Sequence, residues 1–151
     1  MKNLSDVIGR GLVAGFAGTA AMTVSSTVEQ KLRRRAASSA PADATAKVLG
    51  ISGFDTPSAH ARFSFLSHWG YGTGWGLVRA AIGALPLSPA AATAAHGAAV
   101  WGNEQVMLPA LDVAPPINLW GGREIAIDAW HHLVYASAAG VAYELLSNDR
   151  N

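Results

Sequence analysis

The sequence has no cysteine, which excludes a disulfide framework, a thiol nucleophile, Cys-ligated iron–sulfur clusters and zinc ribbons. Charge is scarce too: Asp, Glu, Lys and Arg make up 14% of the 151 residues, against about 25% in a soluble domain. A formal net charge of +1 offers nothing to recruit a nucleic-acid backbone, so no nucleic-acid partner is expected. Catalytic signatures are missing as well. The glycines from Gly70 to Gly76 alternate without a following Lys-Ser/Thr, which is not a phosphate loop. No Gly-x-Ser-x-Gly elbow occurs anywhere. The length suits one domain over 1–151.

What is present is apolar, at 50% of residues, and grouped. Asp, Glu, Lys and Arg are absent from 11–28, 63–78, 89–103 and 129–143. A bilayer-spanning helix needs about 20 residues, with about 17 as the lower end. The blocks reach that range when flanking Arg62, Arg79 and Glu144 snorkel to the interface. The sequence therefore predicts an all-α, four-helix transmembrane bundle with spans near 8–30, 61–84, 89–107 and 124–146. The contrary reading is a soluble bundle rich in Ala and Gly.

Punctuation fits that division. Pro41 to Leu49, closed by Gly50, has the Pro start and Gly stop of a short surface helix near 41–49. Asp55-Thr56-Pro57-Ser58 supplies a turn and an N-cap for the second span. Pro86 and Pro89 tighten the next turn, making spans two and three antiparallel neighbours, and Pro109 ends span three. Basic residues sort by side: Arg33, Arg34 and Arg35, read as topology anchors, fall with Lys31, Lys47, Arg62 and Arg123 on one face. Lys2, Arg10, Arg79 and Arg150 fall on the other. The positive-inside rule places the first set in the cytoplasm. The five tryptophans, mostly near span ends, suit an interfacial belt.

Small residues mark packing faces. Gly11, Gly15 and Thr19 form one ridge, with Gly18 beside it. Gly70 with Gly74, and Gly72 with Gly76, form two more about 200° apart around the second span, as in a helix held between neighbours. A repeat is visible: His68, Tyr71, Gly72, Thr73, Gly74 and Gly76 match His132, Tyr135, Ala136, Ser137, Ala138 and Gly140 in spacing. Two duplicated helical hairpins would produce it.

Histidine and carboxylate supply the only chemistry. Helical spacing gathers His68, Tyr71, His96, Glu104, Asp128, His132 and Tyr135 into a polar core. Three roles compete for it. Hydrogen bonds could hold helices in register. Imidazole, which titrates near neutral pH, could make the bundle pH-responsive through His68 and His132. A metal- or haem-binding subunit would use His68, His96 and His132, although no two histidines stand four apart. The sequence favours a protein without cofactor or catalytic residues. The bilayer is its expected partner, and a homo-oligomer or larger membrane complex stays open.

Gly11-Leu12-Val13-Ala14-Gly15-Phe16-Ala17-Gly18-Thr19, His68-Trp69-Gly70-Tyr71-Gly72 and His132-Leu133-Val134-Tyr135 resemble the YagU-like family of small bacterial inner-membrane proteins, whose biochemistry is unassigned. The resemblance covers most of the chain. It implies a multi-pass inner-membrane protein with a loose link to acid tolerance, and it transfers no catalytic residue. The loop from Asp112 to Trp120 has no counterpart in it.

Overall fold

The computed structural model describes residues 3–148 and is all-helical over them. Five α-helices follow in order: α1 Leu4–Arg33, α2 Ala40–Leu49, α3 Pro57–Ile82, α4 Pro89–Ala110 and α5 Gly122–Asn148, with one 3-10 turn at Ile117–Leu119. Lys2 and Arg150, assigned to the second basic set, lie outside the described residues.

Local chemistry explains where the helices begin and end. Thr56 and Ser88 cap α3 and α4, each hydroxyl accepting from the backbone N–H three residues on, with Pro57 and Pro89 next in the first turn. Such a cap contributes about 1 kcal/mol. Gly50 stops α2 in the left-handed region at φ 68°. Arg34 stops α1 in the same way at φ 55°, its N–H reaching the Gln30 and Lys31 carbonyls. α1 thus overruns the expected 8–30 at both ends, because no breaker precedes Arg34. Pro109 does not end α4, which continues to Ala110.

α1 packs along both α3 and α5, α4 packs chiefly on α5, and α2 lies against α3. The tight turn at Pro86–Pro89 does bring α4 back beside α3, but their contact is sparse. The helices alternate in direction: α1 and α4 run one way, α3 and α5 the other. The α1–α3 register sets Thr19 against Gly72 and Gly15 against Gly76; the α4–α5 register sets Gly97 against Ala136 and Thr93 against Gly140. Positions that match in the sequence repeat therefore meet their partner helices in the same antiparallel stagger.

Only one of the two α3 glycine ridges is used. Gly72 and Gly76 face α1, and Gly18 of α1 meets the Tyr135 ring. A Cβ on Gly70 or Gly74 would meet nothing within 4 Å. α3 therefore approaches a neighbour closely along one ridge, and among the described residues nothing lies within 4 Å of a Cβ on the other.

The core is small and polar. Its buried apolar residues are mostly alanines (Ala14, Ala80, Ala92, Ala136 and Ala139 among them), with Leu108, Tyr135 and Tyr143 as its large members. The largest side chains with almost no exposure are Arg79, His96 and Thr19. Val13, Phe16, Val24, Phe65, Leu66, Val106, Leu133, Val141 and Leu145 all point outward. Arg79 thus does not snorkel to a helix end as expected; among the described residues it is the most deeply enclosed charge.

Candidate functional site

Helical periodicity places the polar residues on inward faces, and the helix partners divide them. His68 on α3 reaches α1, with Nε2 2.8 Å from Thr23 Oγ1. That hydroxyl already donates to the Thr19 carbonyl at 2.7 Å, so the imidazole donates to it. His96 on α4 reaches α3 and donates from Nε2 to the Trp75 carbonyl at 3.0 Å. Its ring lies 5.7 Å from that of Tyr135. Tyr135 donates to the Gly72 carbonyl at 2.6 Å, joining α5 to α3. Tyr71 accepts from Asn103 at 2.9 Å at the surface. His131 faces α1, with Nδ1 2.9 Å from Ser25 Oγ and Nε2 3.8 Å from Glu29.

Each imidazole therefore clamps a different helix pair. The expected ligand set of His68, His96 and His132 is not brought together: their Nε2 atoms reach Thr23 on α1, the Trp75 carbonyl on α3 and Glu104 on α4, and the grouping found among the described residues is Glu104, Asp128 and His132. Each clamp is worth about 1 kcal/mol.

His132 is different. From α5 it turns to α4, about 100° around the helix from His131. Its Nδ1 lies 2.9 Å from the Asp128 backbone carbonyl. A carbonyl only accepts, so Nδ1 carries a proton and donates. Nε2 then faces Glu104 Oε2 at 2.7 Å. The Asp128 carboxylate stands at the other ring nitrogen, with Oδ1 3.6 Å from His132 Nδ1. Trp101 holds its other oxygen, donating from Nε1 to Oδ2 at 2.7 Å. Glu104, Asp128 and His132 each offer a donor atom within 4.8 Å of the others. Their side chains are only 19%, 23% and 11% exposed.

Comparison of the chain with protein families, curated proteins and solved structures finds no match. The site must be read from its own chemistry.

Beside this trio lies an ion-pair knot. The left-handed turn at Arg34 folds the chain back, so Arg35 grips Glu29 with Nε and Nη2. Arg33 bonds Glu29 at 3.1 Å and Glu124 at 3.2 Å, tying α1 to α5. Two of the three expected topology anchors are thus also braces, while Arg34 is exposed. Toward the opposite end, Arg79 donates from Nη2 to Glu144 Oε1 at 2.6 Å and lies 4.4 Å above the Tyr143 ring.

The polar core expected from the sequence is therefore several sites. Trp101 was missed as a member. Its spacing three residues before Glu104 was a signal for it, since both fall on one helix face.

Proposed function

We propose that this chain is a small multi-span integral membrane protein whose Glu104–Asp128–His132 centre holds a cation, with no catalytic step of its own. The observation that carries the membrane placement is the inverted burial. Arg79 and His96 are 0% exposed, whereas Val24 is 65% and Leu66 67% exposed. In water that arrangement forfeits most of the hydrophobic driving force, while in lipid it is the favourable one. The long helices have 30, 26, 22 and 27 residues, or about 33–45 Å at 1.5 Å per residue, enough for a hydrocarbon core of about 30 Å.

Among the described residues, only α1 is long and apolar enough to cross a membrane by length and composition. The second reading is a soluble bundle rich in Ala and Gly. In the membrane reading α3, α4 and α5 insert by turning their polar residues to one another. Lys31, Arg33, Arg34, Arg35, Lys47 and Arg62 cluster at the α2 end, favouring a cytoplasmic location for that end. The resemblance to YagU-like proteins that the sequence motifs suggest would imply a bacterial inner membrane.

Alkaline carbonate extraction tests the placement. The chain is expected in the membrane pellet and in solution only with detergent. Recovery in the carbonate supernatant overturns the membrane reading and leaves the soluble bundle.

The cation reading rests on the His132–Glu104 contact. With Nδ1–H committed to a carbonyl, a neutral ring points its Nε2 lone pair at a carboxylate oxygen 2.7 Å away. Two lone pairs repel at that distance, so a proton belongs between them, or a metal ion once the pair opens to about 3 Å, each metal–donor bond being about 2.0–2.2 Å. A proton there would give the acid-responsive role that the sequence suggests.

A further inference from the structure

The centre has a donor set and an orienting shell, and together these specify more than a proton. We propose that Glu104, Asp128 and His132 bind one first-row divalent cation of the Zn2+, Mn2+ or Fe2+ class. This inference rests on the cation-holding reading of the centre.

The donors are one imidazole nitrogen and carboxylate oxygens, which suit these ions better than Ca2+ or Cu+. The three donor atoms already lie within 4.8 Å of one another, so drawing them onto one ion needs side-chain adjustment only. The orienting partners are those that metal-bound groups ordinarily have. His132 donates its other ring N–H to the Asp128 carbonyl, leaving Nε2 as the ligand atom. Trp101 fixes Asp128 through Oδ2.

Charge points the same way. Two carboxylates and a neutral imidazole sum to a charge of −2, which a divalent ion cancels. A single proton leaves the partly buried trio with net negative charge, and burying net charge is costly. A groove of about 680 Å³ between α4 and α5 reaches the centre, lined there by Trp101, Ala129 and His132 and farther along by Gly97 and Ala136. Leu133, Val141 and Leu145 wall it too, and Glu104 and Asp128 do not line it, so it brings the outside to the His132 edge of the centre alone.

The test uses the full chain purified in mild detergent, stripped with chelator and dialysed against Zn2+ or Mn2+ alone. Bound metal, its dissociation constant and the melting temperature are read together. Wild type is expected to retain one equivalent and to melt higher with the ion. Glu104→Gln and His132→Gln should weaken binding by at least about tenfold. Trp101→Phe, which removes only an orienting hydrogen bond, should weaken it by about 10–100-fold while the protein stays folded. His68→Gln and His96→Gln should bind as wild type.

Uptake that is equal in wild type and Trp101→Phe overturns the site, as does loss of binding in His68→Gln. If no metal is retained but melting between pH 5 and 8 changes in wild type and not in Glu104→Gln, the occupant is a proton. The metal inference then falls and the cation reading stands. If neither metal nor pH distinguishes the variants, both fall.

Discussion

Gly76→Ala is expected to destabilise the bundle by about 3 kcal/mol or more, because its methyl group has no side chain to displace. A Cβ there would overlap the Gly11 carbonyl oxygen and stand 2.7 Å from the Gly15 nitrogen. Both obstacles are α1 backbone, so α1 and α3 would have to separate. Separation also loosens Thr19 against Gly72 and the His68–Thr23 hydrogen bond. Overpacking ordinarily costs about 1–3 kcal/mol, and a backbone-to-backbone contact belongs at or above the top of that range. Gly74→Ala, where a Cβ meets nothing within 4 Å, should be neutral or gain up to about 1 kcal/mol of helix propensity. Equilibrium unfolding of the two variants in detergent measures the difference. Equal stabilities would mean that the α1–α3 crossing does not hold the bundle together.

That contrast also shows how far the sequence could be read. Helix positions were legible because their signals are local: Thr56-Pro57 and Ser88-Pro89 start helices, and Gly50 stops one, wherever the rest of the chain lies. The choice between the Gly70–Gly74 and Gly72–Gly76 ridges was not. Both have the same spacing, and only the neighbouring helix decides which one is used. The histidines divide in the same way. Periodicity put His68, His96 and His132 on inward faces, yet their partners Thr23, Trp75 and Glu104 belong to three different helices. Asp128 with His132 was readable from a separation of four residues, whereas Glu104 needed the α4–α5 stagger. The repeat did carry that stagger, because Gly72 and Gly76 meet α1 as Ala136 and Gly140 meet α4.

Arg79 shows the same limit and supports the other large effect. Proximity to a span end made it a candidate for snorkelling, but its partner Glu144 is 65 residues away in sequence. Glu144→Gln is expected to cost about 3–5 kcal/mol, the usual consequence of leaving a buried charge without its partner. Among the described residues, Glu144 is the carboxylate paired with Arg79. Arg79 Nε and Nη1 have no hydrogen-bond partner among the described residues, and only the Tyr143 ring faces the cation. Arg79→Met should cost less, because the charge it strands on Glu144 sits on a side chain 32% exposed and can reach solvent. The double variant, Arg79→Met with Glu144→Gln, removes both charges and fills the space with an apolar chain. It should lie within about 1.5 kcal/mol of wild type, since replacing a buried pair outright is often near neutral. A double-mutant cycle by unfolding in detergent gives the ordering. Glu144→Gln proving no worse than Arg79→Met would show that the carboxylate does not neutralise the buried guanidinium. With the expected order, the pair pins the ends of α3 and α5 together, where Gly83 also abuts the Tyr143 ring. The α3–α5 contact would then be fixed by charge at this end and by the Tyr135–Gly72 hydrogen bond nearer the middle.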